Sequence, residues 1–384
     1  MKLDTPQGSQ KMEEARQKQE QRESELSLSQ WQLMWRAFKR HRLAIGASVV
    51  LIIFYLVAIT CGFVAPQGAN TRNRDYIFAP PQIPKFIDNE GNFHFRPFVN
   101  GVTQEMDEDT WERYYVIDEE TRHPIYFFTE GSEYKFLGLF ETNKHLFGTG
   151  DSDIPIFIFG TDDLGRDVFS RIIYGTRISL SIGLVGVFLS LLLGLLLGGA
   201  SGFFGGVIDL FIQRIIEILI SIPPIPLWMA LSAALPAGWS PIRVYFAITI
   251  ILSLRGWVGV ARVVRGKFLS LRDEDFVLAS EALGGSNFWM ITRHLVPNFM
   301  SYVLVNITLA IPWMILSETS LSFLGIGLRP PVVSWGVLLQ KAQNMRTVSS
   351  RPWLLIPGVF VVIVVLSFNF VGDGLRDAAD PYSD

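Results

Sequence analysis

The chain opens with a polar stretch and then turns abruptly apolar. Residues 1–27 are mostly Gln, Glu, Lys, Arg and Ser; they cannot bury enough surface to offset the entropy of ordering, which predicts a disordered tail. From Leu28 the pattern changes: Leu28, Trp31, Trp35 and Phe38 recur at spacings of three and four beside Arg36, Lys39, Arg40 and Arg42. Residues 28–42 therefore read as a basic amphipathic helix on a membrane surface. Uncharged apolar runs follow at 43–64, 178–199, 218–235, 244–254, 295–316 and 354–371. At 1.5 Å per residue, 43–64 and 178–199 each reach roughly 33 Å, enough to cross a hydrocarbon core of about 30 Å. Pro223, Pro224 and Pro226 shorten the third run, so its helix is expected to start near Asp209, with Arg214 and Glu217 three apart and able to pair. The fourth run is too short alone and continues through Arg255. An arginine at mid-bilayer costs about 2.5 to 3.5 kcal/mol, so Arg255 should face protein or water. The pattern predicts six spans, at about 43–64, 178–199, 210–235, 244–261, 298–316 and 354–371.

Between the first and second spans, residues 65–159 are too long and too aromatic for a linker. Phe93 and Phe95 alternate with His94 and Arg96, and the apolar stretches 114–117 and 125–128 flank a turn-like Asp118-Glu119-Glu120-Thr121. This predicts a small β-rich external domain inserted after the first span. His94, His123 and His145 are too scattered for a metal site, and no metal is expected.

Composition agrees with a membrane protein. The 384 residues are 49% hydrophobic and 18% charged, with a mean hydropathy of +0.31, too apolar for a soluble chain of this length. A net charge of -3 gives no reason to expect nucleic acid. The single cysteine, Cys61, excludes an intrachain disulfide and reads as a small buried hydrophobe. The long charged segment ahead of the first span does not fit a cleavable signal peptide. Arg36, Lys39, Arg40 and Arg42 precede that span, while the loop after it is acidic, which predicts a cytoplasmic N-terminus. Six crossings return the C-terminus to the cytoplasm and put 262–297 there too. The basic 329–351 loop, assigned outside by parity, runs against the rule.

Residues 262–297 carry the clearest candidate site. Ser270-Leu271-Arg272-Asp273 has capping-box spacing, so a short helix can start there and run through Phe276, Ala279 and Leu283. Gly284-Gly285 ends it, Ser286 can cap a second helix carrying Phe288, Ile291 and Leu295, and Pro297 stops that helix. The product is a helix-turn-helix beneath the membrane, able to fill a groove on a soluble partner or to pack on itself. Two other clusters stand out. Gly160 to Asp167 gathers three acids with Arg166 at a membrane entrance, where they can pair as a clasp, Asp162 and Arg166 being secondary candidates for solute contact. Glu318 ends an apolar span as a snorkelling or helix-end carboxylate, or as a contact for the amino end of a solute. Gly202, Gly205 and Gly206 are expected to make the tight turn between the second and third spans. No phosphate-binding loop occurs, since Gly266-Lys267 lacks the earlier glycine and is followed by Phe268; nor is there a His-Glu-x-x-His or Gly-x-Ser-x-Gly motif.

Gly284, with Arg293-His294-Leu295-Val296-Pro297 after it, resembles the coupling motif of ABC importer permeases: Glu-Ala-Ala, three residues, Gly, nine residues, Ile-x-Leu-Pro. In register, Leu278-Ala279-Ser280 stands at Glu-Ala-Ala, and His294 and Val296 at the Ile and Leu positions; the leading Glu is absent. The Arg293 to Asn298 ending is similar to the oligopeptide, dipeptide and nickel branch. So are Gly160-Thr161-Asp162-Asp163-Leu164-Gly165-Arg166-Asp167 with Ser170-Arg171 and Gly175-Thr176-Arg177, the Glu318 to Gly327 segment with Pro330-Pro331 and Ser334-Trp335-Gly336, and the 372–381 tail. The resemblance covers 159–381; the β-rich insertion lies outside it.

That resemblance implies an all-α type I ABC importer permease fold in a bacterial inner membrane, non-catalytic, binding no cofactor itself, with ATP and Mg used by partner ATPases. It also implies a homologous permease subunit, two cytoplasmic ABC ATPases and an external solute-binding protein as partners. Ala279, Ser280, Glu281, Ala282, Gly284, Ser286, Arg293, His294 and Pro297 would couple to the ATPase; Arg255, Glu318, Asp162 and Arg166 are the translocation or gating candidates. The solute stays open among di- or oligopeptide, nickel chelate, sugar oligomer and peptide-like antibiotic, with peptide favoured. A secondary transporter would need inverted halves or paired intramembrane carboxylates, and neither is found. A membrane-anchored adaptor working through its external domain is the other rival.

Overall fold

The computed structural model describes residues 30–379 apart from 107, 109–112, 152–153, 237, 292 and 294–299. The tail at 1–27, Leu28, and the motif residues His294, Leu295, Val296, Pro297 and Asn298 lie outside the described residues, as do Asp380 and Pro381.

Helix α1 (Gln30–Arg40) meets α2 (Arg42–Ile59) at His41, whose Nδ1 accepts from the Ala44 N–H at 3.1 Å and caps the second helix. Along α1, Met34 and Phe38 are buried, and Trp35 is exposed and stacks on Phe38. The span expected at 43–64 is interrupted at Thr60, after which a single turn, α3 (Cys61–Val64), continues it. Cys61 is buried.

Helix α4 (Val168–Phe204) is 37 residues long and starts ten residues before the predicted second span. Asp167 caps the helix by accepting from the Phe169 and Ser170 N–H groups at 3.3 and 2.7 Å, and Arg171 pairs with Asp162. Gly205 and Gly206, at φ of +63° and +55°, turn the chain into α5 (Gly206–Ser221). Gly202 is not part of that turn; it lies inside α4. The third span was expected as one helix over about 210–235. Instead the chain bends by 92° between α5 and α6 (Pro224–Ala233). Proline lacks the N–H that would continue the ladder and pushes its predecessor into extended backbone, and Ile222 is extended.

Helix α7 (Pro241–Leu271) has 31 residues, ten beyond the predicted end. Then come α8 (Asp275–Ala282), α9 (Asn287–Met290), α10 (Met300–Phe323), α11 (Trp335–Leu339), α12 (Met345–Ser350) and α13 (Ile356–Ala379). Among the described residues, Arg42–Ile59, Val168–Phe204, Pro241–Leu271 and Pro352–Ala379 are long and apolar enough to cross a bilayer, and the bent α5–α6 pair makes a fifth if it is one span. Helix α10 adds a further 24 residues with Pro312 inside it.

The main core gathers Ile172, Leu180, Ile182, Ile248, Leu252, Ile315 and Trp335 from α4, α7, α10 and α11. The seam between α4 and α7 is close because α4 carries glycine there: a Cβ on Gly194, Gly198 or Gly202 would lie 2.5–2.7 Å from Val260, Ala261 or Phe268. Small residues four apart let two membrane helices approach backbone to backbone.

Residues 85–148 form antiparallel strands. β1 (Lys85–Ile87), β2 (Phe93–Met106) and β3 (Arg113–Pro124) make one sheet in that order, and β4 (Tyr126–Phe136) and β5 (Phe140–Gly148) a separate hairpin. The expected turn at Asp118-Glu119-Glu120-Thr121 is instead a bulge within β3. Asn100 pairs with Arg122 and Gly101 with Asp118, and the Asp118 carboxylate accepts from the Glu120 and Thr121 N–H groups, as a turn would. Asp88, whose side chain is almost fully buried, staples the first sheet: it takes His94 Nε2 and Arg122 Nη1 at 2.9 Å each. His145, 1% exposed, is held between Ala65 O and Ser132 O.

Candidate functional site

The hook at 272–293 hangs from the end of α7. Ser270 does not cap its first helix, because α7 runs on through it and its hydroxyl donates to Lys267 O at 3.1 Å. Helix α8 begins only at Asp275. It ends where the sequence indicates: Gly284 takes φ of +81°, and the Gly285 N–H reaches back to Ser280 O at 2.9 Å. A left-handed residue with this six-to-one bond is a Schellman stop, which glycine adopts without steric cost. Ser286 then caps α9, its Oγ accepting from the Trp289 N–H at 3.3 Å.

Val277 and Met290 are buried against Val264, Phe268 and Val303, which seats the hook under α7. Ala279, Ala282, Gly284, Ser286 and Arg293 are exposed, and so are Phe276, Leu278, Leu283 and Trp289. Ser280 departs from the sequence reading: it is buried beside Gly285 and serves the turn. At the position of the motif's leading Glu, Leu278 offers an exposed aliphatic side chain, so the surface there is apolar.

Above the hook, Arg265 on α7 holds Asp209 on α5 in a two-point pair, Nε to Oδ1 and Nη2 to Oδ2 both at 2.6 Å. Ser201 on α4 donates to the same carboxylate at 2.5 Å. One acid thus ties three helices where they converge on the hook, with the planar fork geometry that suits arginine. The sequence reading missed this pair. Its only signal was an acid and an arginine at the ends of two apolar runs, 56 residues apart.

The 160–171 cluster is a buried knot. Asp162 Oδ2 accepts from Arg166 Nε at 2.8 Å and pairs with Arg166 Nη2 at 2.7 Å and with Arg171 Nη1; its Oδ1 accepts from the Leu164 and Arg166 N–H groups. Asp162, Arg166, Asp167 and Arg171 are each at most 4% exposed. Burial alone would raise the Asp162 pKa, but the Arg171 and Arg166 guanidiniums outweigh it and hold the carboxyl below its usual range. Burial pushes Asp167 up to about 7, against the opposing pull of the Ser170 and Phe169 N–H groups it accepts from. The knot gathers distant chain. Asn73 Nδ2 reaches Gly165 O at 3.0 Å, Trp353 Nε1 reaches Thr161 O at 3.0 Å, and Lys341 pairs with Asp163 at 2.6 Å. Gly165, at φ of +69°, has no room for a Cβ beside Asn73 O.

Glu318 does not snorkel, nor does it sit at a helix end. It is 0% exposed on α10, five residues before the end, and its Oε1 accepts from Ser322 Oγ and Ser334 Oγ at 2.7 Å each. Segment 324–340 folds back over it, anchored by Trp335, whose N–H reaches Ser179 Oγ at 3.1 Å and whose Nε1 reaches Ile172 O at 3.3 Å. Arg255 is half-buried and donates to Leu219 O on α5, so it faces protein as the cost of an unpaired charge requires. Arg214 and Glu217 pair at 2.7 Å on an exposed face. Of the four translocation candidates, Asp162, Arg166 and Glu318 are thus enclosed and Arg255 braces two helices. Among the described residues, no group of His, Cys, Asp and Glu could hold a metal ion.

Two family models match the chain: a binding-protein-dependent transport system inner membrane component over residues 190–382, and the N-terminal transmembrane domain of an oligopeptide transport permease over 29–81. The strands lie between the two matches. Among curated relatives, the oligopeptide transport system permease protein OppC of Bacillus subtilis is 42% identical over 58% of this chain and 71% of its own. The dipeptide transport system permease protein DppC of Lactococcus lactis is 32% identical over 92% of this chain and 91% of its own. Among solved structures, the inward-facing MetNI methionine ABC transporter aligns with 55% of this chain and 97% of its own at 20% identity, with a TM-score of 0.43.

Proposed function

The chain belongs to the family of binding-protein-dependent transport system inner membrane components, and from that premise we propose that it is a peptide-importing permease subunit of the bacterial inner membrane, driven by a separate ATPase. It forms half of a type I translocation pathway with a homologous permease. Two cytoplasmic ABC ATPases dock beneath it, and an external binding protein delivers di- or oligopeptide from above. The chain crosses the bilayer six times with both termini in the cytoplasm, in keeping with the basic residues ahead of α2. The peptide assignment rests on the oligopeptide and dipeptide permeases it is similar to.

The observation that carries this reading is the hook. Its two short helices are fixed to each other by the Gly284 turn and to α7 by Val277 and Met290, while Phe276, Leu278, Leu283 and Trp289 are exposed. Such a surface fits a partner's apolar groove. Closure of the ATPases on ATP would draw the hook with them. Because α7 is one 31-residue helix from the hook to the far side, with its lower end tied to α5 through Arg265 and Asp209, that pull would tilt helices as a body and change which side of the membrane the pathway opens to.

Gly284→Trp tests it. The position has open space around it, so the indole fits sterically. It cannot enter a shared groove, however, and a non-glycine residue at positive φ costs about 1–2 kcal/mol. In proteoliposomes holding the assembled transporter, the variant is expected to insert at the wild-type level, to lose ATP-driven peptide uptake and to lose ATPase docking. Gly284→Asn, which tolerates the left-handed conformation, should keep much of both. Uptake by the tryptophan variant at the normal rate would remove the coupling role.

A further inference from the structure

The β4–β5 hairpin ends in five consecutive apolar or glycine residues, Phe136-Leu137-Gly138-Leu139-Phe140. Leu137, Leu139 and Phe140 are 53%, 75% and 66% exposed. A solvated hairpin tip ordinarily carries polar turn residues. Here the polar residues stop at a sharp line, the pair of Lys135 and Glu141 at 3.4 Å, and everything beyond it is apolar.

The direction of the hairpin explains this composition. On the α3 side, His145 bonds to Ala65 O, and nearer the tip the Tyr134 ring fills the space where a Cβ on Gly62 would stand. On the α4 side, Phe147 packs on Phe169 with ring centroids 5.7 Å apart, while nearer the tip Tyr134 covers Gly62, whose neighbour Cys61 packs in one cluster with Tyr174. Moving toward the tip therefore means moving from Ala65 to Gly62 and from Phe169 to Tyr174. Both helices carry the hairpin toward the bilayer, not away from it. The tip extends two to six residues past Tyr134, about 7–10 Å at roughly 3.3 Å per residue of strand before the chain turns back. It is level with the end of α2, where Leu56 and Ile59 are each 56% exposed.

We infer that the tip at 136–140 is inserted into the lipid leaflet onto which the C-terminal end of α2 opens, as a monotopic anchor that fixes the strands to the membrane surface. The inference rests on the membrane-spanning reading of α2, and on the proposed orientation the leaflet is the outer one. Lipid is the occupant because the hairpin runs along α3 and α4 toward the bilayer and ends in a tip that is exposed and wholly apolar, at the end of α2 where Leu56 and Ile59 are exposed as well. The order of residues toward the tip also suits an interface: Tyr134 and then the Lys135–Glu141 ion pair in the headgroups, Phe136 and Phe140 at the boundary, and leucines beyond it.

Spin labels on the full chain, assembled with its partner subunits in proteoliposomes and with Cys61→Ala as background, test this. Labels at Leu137→Cys and Leu139→Cys should relax mainly with oxygen and be shielded from a water-soluble nickel chelate, at a depth of about 5–10 Å below the headgroups. Phe95→Cys, on the other sheet and 95% exposed, should respond in the opposite sense. Ile53→Cys on α2 is the control for the span itself. Nickel access at 137 and 139 with lipid access at 53 would overturn the anchor and leave the membrane reading standing. Shielding from both reagents at the tip would also overturn it and identify a protein partner as the cover. Aqueous access at 53 would refute the span.

Discussion

Gly198→Ala should loosen the α4–α7 seam, and the size of the effect can be worked from the geometry. A Cβ on Gly198 would lie 2.5 Å from Ala261 O and 2.7 Å from Ala261 Cα, against 3.4 Å at the start of ordinary contact. Backbone atoms cannot swing aside, so the helices must part by about 0.9 Å, the difference between 3.4 and 2.5 Å. A gap of that size forfeits about a quarter to a half of each contact's well of about 0.1–0.2 kcal/mol. Gly194 and Gly202 pack equally closely on Val260 and Phe268, so the loss spreads along two turns and over on the order of twenty atom pairs, or roughly 1 kcal/mol. That is the lower end of the ~1–3 kcal/mol typical of overpacking. The chain carries its own reporter, since Cys61 is its single cysteine and is buried. Thermal unfolding followed by a thiol-reactive fluorophore should show a midpoint lower by about 1 °C. Gly266→Ala, on the same helix α7 but with nothing within 4 Å, should be neutral or slightly stabilising. If Gly198→Ala melted with the wild type, or Gly266→Ala fell as far, close backbone approach would not be what holds α4 to α7.

Two further outcomes follow from the buried acids. Burial pushes the Asp167 carboxyl up to about 7 in the folded chain, from the 3.8 of a free aspartate, so the folded state binds the extra proton between those values; its contribution is complete below about pH 4 and is lost as pH rises to 7. Asp167→Asn keeps an N-cap oxygen and stays neutral, so its tryptophan-fluorescence melting midpoint should gain on the wild type as pH rises from 4 to 7, and a constant difference would contradict the assignment. Glu318→Ala would strand the Ser322 and Ser334 hydroxyls in a buried site, at about 1–3 kcal/mol for each group left unsatisfied. Segment 324–350 should then be cleaved faster by added protease, with Glu318→Gln cut at a rate closer to wild type; equal rates for all three would mean that the carboxylate does not hold the segment down.

What the sequence made legible was local. The Gly284 stop, the Ser286 cap, the Arg214–Glu217 pair and the inward-facing Arg255 each depend on residues within a turn or two, or on the cost of a lone charge in lipid. The errors came where a distant partner changed the meaning of a residue. Arg171 marks a polar entrance until Asp162 neutralises it, and then α4 can begin at Val168. Asp118 to Thr121 has turn chemistry, and it forms a turn's hydrogen bonds, but pairing with β2 on both sides keeps it inside one strand. Ser270 has a capping-box partner in the right place, yet the apolar contacts of Val264 and Phe268 with the hook carry α7 past it. Glu318 reads as a helix-end carboxylate because nothing local predicts that the chain will return from Ser334 to cover it.

The polar residues that stood out in an apolar chain are joints. Asp162 with Arg166 and Arg171 locks the entrance of α4 to the loop at Asn73 and to Trp353. Glu318 with Ser322 and Ser334 pins the returning segment, and Arg265 with Asp209 ties α7 to α5. The long helices between them are continuous, so deformation is left to the points where backbone bonding is interrupted: Gly205-Gly206 at positive φ, the 92° bend at Ile222-Pro223, and Gly284 in the hook. Under the proposed coupling role, force applied at the hook would be taken up at the bend and the glycine turn, not by flexing α4 or α7. The bent α5–α6 pair, which has few contacts with the rest of the core, is then the element whose position differs most between the two states of access.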